Sequence, residues 1–296
     1  MEAGEAEMAN RLQRLEMAWA RRHAGDAGPL PEDRGRRPAC IITGASEGIG
    51  RRLADEFAAA GRNRLLLIAR NEENLRAAAA ELRRDHGAEI YIAAIDLAAP
   101  GRSERIRQAL ADHGLYADIL VNNAGFGLGG PFAEQEAERL AELCRLNVEA
   151  LTELTRAFLP DMLRRGRGGV LNIASLGGLL PGPYQAAYYA SKAYVVSLTE
   201  ALAFENAGRG VRISVAAPGP VRTRFHERMG ADGAFYLYLQ RVMSAETAAR
   251  IIHSGFMGRR TVIVPGLIAS FNAFAVRFIP HFMLVPFIGW FLKRRY

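Results

Sequence analysis

A tyrosine and a lysine four residues apart are the side chains of this sequence best suited to acid–base chemistry. Tyr188 and Lys192 would share one face of a helix. A free tyrosine has a pKa of about 10 and is a weak proton donor at neutral pH, so it needs a positive charge nearby. Lys192 can supply that charge, and the pair could deliver a proton to a reacting oxygen.

Lysine at this position is informative because the protein strongly prefers arginine. Lysine and arginine together number 38, yet only Lys192 and Lys293 are lysines. Arginine would supply charge without the compact ammonium that donates to neighbouring hydroxyls. The composition therefore indicates a specific need for an ammonium group at position 192. Tyr184 and Tyr189 lack the helical register of Tyr188 to this lysine, and we interpret them as pocket-lining or packing residues.

A glycine-rich turn predicts a site for a dinucleotide. The first apolar strand runs into Thr43-Gly44-Ala45-Ser46-Glu47-Gly48-Ile49-Gly50 and then into a helix. Glycines let a diphosphate approach bare N–H groups at a helix N-terminus. No Gly-Lys-Ser or Gly-Lys-Thr follows, which disfavours a P-loop nucleotide hydrolase. Close packing of a strand on a helix also demands glycine, so this turn alone leaves both interpretations open.

The ends of the next strands bear on the choice of cofactor. Where an NAD-specific fold would present a carboxylate to the ribose, this chain has Arg70. A guanidinium can bind a ribose 2′-phosphate through paired hydrogen bonds, which favours NADP; a solvated arginine is the alternative. Asp96 could bind the adenine edge or cap a helix just ahead of Pro100. Asn122–Gly125 suits a sheet edge lying against a cofactor, or a plain turn.

In this order the motifs resemble the short-chain dehydrogenase/reductase family over about residues 39–266. The match comprises TGxxxGxG at 43–50, NNAG at 122–125, Asn147 in a long helix, Ser175 thirteen residues before the tyrosine, YxxxK at 188–192 and PGxxxT at 218–223. The resemblance implies that Tyr188 protonates a carbonyl oxygen to which Ser175 hydrogen-bonds. It further implies that Lys192 holds the nicotinamide ribose and that Asn147 positions a water.

The same resemblance implies NADP as the cofactor and predicts which residues contact it. Some NADP-preferring relatives carry a second basic residue where this chain has Glu47, and this counts against the assignment. The predicted cofactor-binding residues are Thr43, Gly44, Ser46, Gly48, Ile49, Gly50, Arg70, Asp96, Asn123, Ala124, Gly125, Tyr188, Lys192, Pro218, Gly219, Val221 and Thr223.

Short apolar strands that alternate with helical stretches must position these residues. The pattern predicts an α/β fold with a doubly wound, Rossmann-type parallel sheet of seven strands in a single domain. The predicted strands are Ala39–Thr43, Arg64–Ile68, Glu89–Ile95, Ile119–Asn122, Val170–Ile173, Val211–Ala216 and Thr261–Val264. We expect residues 1–38 to be an N-terminal helical extension and linker, 39–266 the dinucleotide-binding catalytic domain, and 267–296 an apolar and basic C-terminal tail.

The N-terminal segment carries an apolar stripe of Met8, Leu12, Leu15 and Trp19 at helical spacing, although a disordered start is an equal alternative. It lacks the apolar core of a secretory signal, which predicts a cytoplasmic protein. Two cysteines far apart imply no disulfide framework, and the scattered histidines predict no metal site.

The positive charge of this protein is concentrated at its C-terminal end. All of the net charge of +7 arises after Glu246, the last acidic residue. This distribution predicts no nucleic-acid partner and suits a tail that touches an anionic surface. The tail is rich in aromatic residues and closes with Lys293-Arg294-Arg295, but its apolar runs are shorter than the ~20 residues of a spanning helix. We expect peripheral contact with the inner face of a membrane; packing on the core or at a dimer interface is the alternative.

Apolar segments near the predicted site indicate the kind of substrate. The loop 176–183 and a lid candidate, Arg224–Met243, favour an apolar small-molecule carbonyl such as a 3-oxoacyl, sphingoid or sterol-type ketone. The alternatives are a non-catalytic NADP-binding redox sensor and a membrane-surface scaffold. A homodimer or homotetramer is the expected assembly.

Overall fold

The alternation of apolar strands and helices folds into one parallel sheet covered on both faces. The computed structural model describes residues 30–61, 64–229, 242–266 and 279–292. The strands are β1 (Arg37–Thr43), β2 (Arg64–Ala69), β3 (Glu89–Ala94), β4 (Leu115–Asn122), β5 (Gly169–Ile173), β6 (Arg212–Ala216), β7 (Val221–Arg222), β8 (Met243–Ser244) and β9 (Val262–Ile263). Seven of them form a sheet in the order β3-β2-β1-β4-β5-β6-β9, and β7 pairs with β8. The predicted doubly wound, seven-stranded architecture is confirmed.

Helices connect successive strands and cover both faces of this sheet. They are α1 (Gly48–Ala59), α2 (Glu72–His86), α3 (Arg102–Asp112), α4 (Ala137–Cys144), α5 (Leu151–Arg165), α6 (Ala186–Glu205), α7 (Phe225–Arg228), α8 (Ala245–Met257) and α9 (His281–Leu292). A π-helical turn, Arg145–Ala150, joins α4 to α5. Among the described residues, no helix is long and apolar enough to cross a membrane.

The strands are buried because helices cover both faces of the sheet. All four residues of Leu65–Ile68 in β2 are completely buried, as expected for a central parallel strand. Phe57 of α1 packs on Phe256 of α8 on one face, and Phe158 of α5 lies in the core cluster of the other face. Chain order reverses between β1 and β4, and in such sheets this is where a ligand crevice opens at the carboxyl ends of the strands.

The seven predicted strands all occur, although each differs from its predicted bounds by at least one residue. Strand β4 begins at Leu115 rather than at the predicted Ile119, because Leu115–Ala117 pairs with Arg37–Ala39 before a register shift between Ala39 and Cys40. Strand β9 is shorter than predicted, since only Val262 and Ile263 pair with β6.

Two segments outside the sheet also pack on the domain. Within the predicted extension, Leu30 is buried and Asp33 forms an ion pair with the buried Arg165 of α5. Within the predicted tail, α9 packs beside Tyr188. The apolar stripe at 8–19 and the first aromatic residues of the tail lie outside the described residues, and the division into three segments remains a prediction.

Candidate active site

A cavity of about 1200 Å³ opens at the carboxyl ends of the strands, where the chain order reverses. Its walls come from the glycine turn before α1, the ends of β2, β4 and β5, the segment 218–225, and α9. Parallel strands bring their carboxyl ends to one edge, so residues far apart in sequence meet there.

Three of the four predicted catalytic residues line this cavity together. Tyr188 and Lys192 lie one turn apart on α6, and Ser175 follows β5. The Lys192 Nζ donates to the Ile173 carbonyl at 2.9 Å, which fixes the ammonium beneath the tyrosine. The Ser175 Oγ accepts from the Gly177 N–H at 3.1 Å and is also hydrogen-bonded to Tyr188. A hydroxyl pair next to a buried ammonium can hold and transfer a proton.

Burial dominates the pKa values of this group. It raises the pKa of Tyr188 to about 12, and only the hydrogen bond from Ser175 opposes the rise. Burial also lowers the pKa of Lys192 to about 8. The charge of Lys192 does not offset the effect of burial on the pKa of Tyr188 in this structure, and its predicted help in proton donation remains a prediction. The ammonium lies 5.9 Å from the centre of the Tyr188 ring and donates to a backbone carbonyl.

The fourth predicted catalytic residue, Asn147, lies behind the cavity wall. It sits buried in the π-helical turn rather than in a regular helix. Its side-chain amide forms two hydrogen bonds with the Phe126 backbone, accepting from the N–H at 3.1 Å and donating to the carbonyl at 2.8 Å. The amide also donates to the Ser191 Oγ at 3.1 Å. These contacts orient the loop after β4, and the predicted role in positioning a water remains a prediction.

The glycine turn serves both packing and the cavity. Gly44, Ser46, Gly48 and Ile49 line the cavity, whereas Gly50 lies behind it. A Cβ at Gly50 would come within 2.3 Å of the Gly44 carbonyl oxygen, so glycine is required there for close packing. The backbone of Gly48 has φ +59°, a conformation that other residues rarely adopt.

Polar contacts tie this turn to the end of β4. The Thr43 hydroxyl accepts from the N–H groups of Asn123 and Ala124 at 2.9 and 3.0 Å. The Asn123 amide donates to the carbonyls of Thr43 and Gly44 at 2.9 and 3.1 Å. Asn123, Ala124 and Gly125 line the cavity, whereas Thr43 does not. Thr43 is thus a brace for the site, although we predicted it as a contact residue.

Arginine side chains line the end of the cavity that lies away from Tyr188. Arg70 lines it, is largely exposed, and pairs with Glu142 at 3.2 Å. Glu47, the residue that counted against NADP, pairs with both Arg224 and Arg228. Two guanidinium groups therefore neutralise this carboxylate, and the electrostatic objection to a phosphate at this end is removed.

Asp96 lines the cavity and holds a turn. Its Oδ1 accepts from the Ala98 N–H at 2.9 Å. The interpretation of Asp96 as a helix cap is wrong, because α3 begins at Arg102 with Gly101 at its N-cap.

The PGxxxT segment and the predicted lid complete the wall over the catalytic group. Pro218, Gly219, Val221 and Thr223 all line the cavity. Phe225 of α7 lies with its ring 5.5 Å from that of Tyr188. Residues 230–241, which include Phe235, Tyr236 and Leu237 of the lid candidate, lie outside the described residues.

Several cavity residues were missed in the sequence. Gln185, Glu142 and Leu146 come from segments whose patterns indicate only packing or solvent exposure. The sequence does contain a pattern that could have identified the α9 residues, because apolar residues recur there at helical spacing. That spacing predicts a buried face but not the segment against which it packs. The α9 residues that line the cavity are Phe287, Ile288, Phe291 and Leu292. Of the rival tyrosines, Tyr189 lines the cavity as predicted.

Comparison with known proteins points to one family. The model for short chain dehydrogenases matches residues 38–233. A protein assigned as ketoacyl reductase 1 of the granaticin polyketide synthase of Streptomyces violaceoruber is 35% identical over 225 residues, covering 75% of this chain and 81% of that protein.

Two solved structures are similar over most of their length. A short-chain dehydrogenase from Sphingobium yanoikuyae in complex with NADPH has a TM-score of 0.72 at 34% identity and covers 81% of this chain and 93% of that one. A bulky-bulky ketone specific alcohol dehydrogenase from Comamonas testosteroni has a TM-score of 0.67 at 28% identity and covers 83% and 96%.

Proposed function

Because this chain belongs to the short-chain dehydrogenase/reductase family, we propose that it reduces the carbonyl group of an apolar ketone with NADPH. It is an oxidoreductase acting on CH–OH and C=O groups, and NADP is its cofactor. The observation that carries the proposal is that Ser175, Tyr188 and Lys192 meet in a cavity with largely apolar walls at one end.

The cavity residues fit this cofactor. Ser46, Gly48 and Ile49 present the N-terminus of α1 to a diphosphate, and a side chain at Gly48 would meet Thr223 at 3.3 Å. Arg70 would bind the 2′-phosphate; Glu47, which also lines the cavity, is paired with Arg224 and Arg228. When bound, NADPH supplies the hydride to the carbonyl carbon.

The side chains of this protein supply the proton that the substrate oxygen receives. Ser175 donates a hydrogen bond to the substrate oxygen, and Tyr188 transfers its proton to the same atom as negative charge develops there. Lys192 lies next to the tyrosine and stabilises the phenolate that remains. The reverse sequence oxidises an alcohol, and the NADP preference favours reduction.

Apolar residues at the catalytic end of the cavity support a lipid-like substrate. Tyr188 belongs to an apolar cluster with Leu143, Met229, Leu284 and Ile288. A 3-oxoacyl, sphingoid or sterol-type ketone would bury its chain or ring system there.

The test is NADPH oxidation across methyl ketones, 3-oxoacyl thioesters and steroid ketones, with NADH in parallel. We expect turnover to increase with the apolar area of the ketone and to be faster with NADPH. Tight NADPH binding without oxidation in the presence of any ketone would overturn the proposal and favour the redox-sensor alternative.

We also propose that the protein is cytoplasmic and contacts the inner face of a membrane through its tail. The closing Lys293, Arg294 and Arg295 and the absence of acidic residues after Glu246 support contact with anionic lipid. Sedimentation with anionic vesicles should weaken with salt and on changing the three cations to Gln. Equal sedimentation with neutral vesicles would overturn the electrostatic part.

We propose that the protein assembles as a homodimer or homotetramer, because most soluble oligomers are symmetric assemblies of identical subunits. Light scattering coupled to size exclusion would give the mass directly, and a monomer at micromolar concentration would contradict this proposal.

A further inference from the structure

Helix α9 has two apolar faces with different surroundings. Leu284, Ile288 and Leu292 recur at every fourth position and are buried. They pack in one cluster with Tyr188 and Met229. This face is therefore part of the wall of the substrate end of the cavity.

The opposite face of α9 is exposed. Phe282, Met283, Phe287 and Trp290 retain 79%, 58%, 58% and 60% of their accessible surface. At 100° per residue Phe282 and Trp290 lie on the side of the helix opposite to Leu284 and Ile288, Met283 lies beside Trp290, and Phe287 lies at the border with the buried face. Four large apolar side chains on one short helix form a patch of the kind that marks an interaction surface.

The mouth of the cavity opens beside this outward face. Ile279 and Phe287 both line the cavity and are both exposed, so they form its rim. A molecule that covers the outward face would therefore also cover the entrance beside the tyrosine.

The sequence around α9 indicates what covers this face. Lys293, Arg294 and Arg295 follow the helix directly, and no acidic residue occurs after Glu246. Aromatic side chains bordered by cations suit the headgroup region of an anionic bilayer. The twelve residues of α9 extend for about 18 Å, which is too short to span a bilayer and suits a helix lying in its plane.

We propose that the protein draws its ketone directly from an anionic lipid bilayer, through a cavity mouth that the outward face of α9 holds against the membrane. This inference rests on the proposed reductase function and specifies its substrate as a bilayer-resident ketone. Phe282 and Trp290 anchor the helix in the headgroup region, Phe287 and Ile279 border the entrance, and Ile288 lines the path to Tyr188.

The test uses the full-length protein with NADPH and a series of methyl ketones. The short member, 2-octanone, is supplied in water, and the long member, 2-octadecanone, is dissolved in phosphatidylcholine/phosphatidylserine vesicles. Phe282→Glu removes an anchor that does not line the cavity. Phe132→Glu is the matched control, because Phe132 is another exposed phenylalanine outside the cavity lining and undergoes the same change of charge.

We expect Phe282→Glu to weaken vesicle sedimentation by about tenfold or more and to lower kcat/KM for 2-octadecanone by a similar factor. Its kcat/KM for 2-octanone should match that of the wild type. Phe132→Glu should match the wild type in vesicle sedimentation and in kcat/KM for both ketones. If Phe282→Glu lowers kcat/KM for 2-octanone by the same factor as for 2-octadecanone, the residue shapes the pocket and the inference fails. It also fails if wild-type protein ignores vesicles and Phe282→Glu converts a dimer to a monomer, because a second copy then covers the face.

These outcomes separate the inference from the function on which it rests. Vesicle sedimentation does not require turnover, so the membrane contact is measured even in an inactive protein. If 2-octanone is turned over and the turnover of vesicle-borne 2-octadecanone does not depend on Phe282, only the inference is overturned, whereas failure to oxidise NADPH with either ketone overturns the proposed function.

Discussion

Tyr188 keeps its proton over the whole neutral range, because burial holds its pKa at about 12. Such a phenol holds a proton for transfer to a substrate oxygen, but its raised pKa makes it a weaker donor than a free tyrosine unless positive charge acts on it. The same burial would make the phenolate costly, and the nearby Lys192 is the group that can offset this cost.

The first prediction concerns this proton. Tyr188→Phe removes the hydroxyl but keeps the ring in its apolar cluster, so we expect kcat to fall at least about a hundredfold while NADPH binding is retained. Stopped-flow turnover and NADPH fluorescence titration measure the two quantities. Tyr194→Phe on the same helix is the control, since Tyr194 bonds to Thr152 away from the cavity. Turnover close to the wild-type rate in Tyr188→Phe would refute the assignment.

Arg70 carries the second prediction, on cofactor choice. Arg70→Asp replaces the cation that we propose binds the 2′-phosphate by a group of like charge to that phosphate. We expect NADPH affinity to fall by about 1.5–3 kcal/mol, or roughly ten- to a hundredfold, relative to NADH. Titration with both cofactors tests this. Arg76→Asp makes the same change on α2 outside the cavity lining and should leave the ratio unchanged. An unaltered ratio in Arg70→Asp would locate phosphate recognition elsewhere.

The third prediction follows from the lowered pKa of Lys192, about 8 instead of 10.5. Between these values the unfolded chain binds a proton that the folded protein does not, so the free energy of unfolding rises with pH in this window. We expect this rise to be absent in Lys192→Met. Urea titrations at pH 7.5 and 9.5 should differ by about 2 kcal/mol more for the wild type than for the variant. Identical pH dependence would mean that the folded-state pKa is not lowered.

At the scale of elements, the site depends on the approach of α1 to the ends of β1 and β4. Gly50 sits where the first turn of α1 touches the Gly44 carbonyl and the Asn123 amide. The polar brace from Thr43 to Asn123 holds the same junction. The glycine turn is therefore a packing device that also leaves backbone N–H groups facing the cavity.

The fourth prediction is that Gly50→Ala disrupts this junction. Its Cβ would lie 2.3 Å from both the Gly44 oxygen and the Asn123 Nδ2, and backbone cannot move aside cheaply. We expect a loss of about 1–3 kcal/mol in unfolding free energy together with weaker NADPH binding. Denaturant titration and cofactor titration measure both. Gly289→Ala is the control, because its Cβ would meet only Pro183 at 3.5 Å. A Gly50→Ala protein with normal stability would contradict the packing argument.

At the scale of the whole molecule, segments outside the predicted domain are attached to it by specific contacts. Arg165 is buried, pairs with Asp33, donates to the Ala117 carbonyl at 3.1 Å and stacks on Tyr116 at 4.5 Å. Residues before β1 thus contribute to the stability of the sheet. The tail contributes differently, because α9 forms part of the active-site wall.

The fifth prediction is that Asp33→Ala destabilises the whole domain. Removing one partner leaves a buried guanidinium without its counter-ion, which costs about 3–5 kcal/mol. Guanidinium chloride denaturation should show this loss in a single cooperative transition. Glu72→Ala breaks the exposed pair with Arg76 and should cost less than about 1 kcal/mol. Equal effects of the two substitutions would mean that the segment before β1 is not part of the folding unit.

Local spacing was sufficient to predict the seven parallel strands and the meeting of three candidate catalytic residues. Tyr188 and Lys192 share a helix face because they are four residues apart, and Ser175 joins them because a parallel sheet collects the carboxyl ends of its strands at one edge. The glycine turn could also be predicted from the sequence, since its backbone conformation depends on a few adjacent residues.

Contacts between distant segments were decided only by the tertiary structure. The pairing of Glu47 with Arg224 and Arg228, the ion pair of Asp33 with Arg165, and the packing of α9 beside Tyr188 join residues that no local pattern connects. The directions in which the pKa values of Tyr188 and Lys192 shift are also decided only by the tertiary structure. An amphipathic or apolar pattern states that a face will be covered, but which partner covers it depends on the packing of the whole chain, as does the burial that sets a pKa.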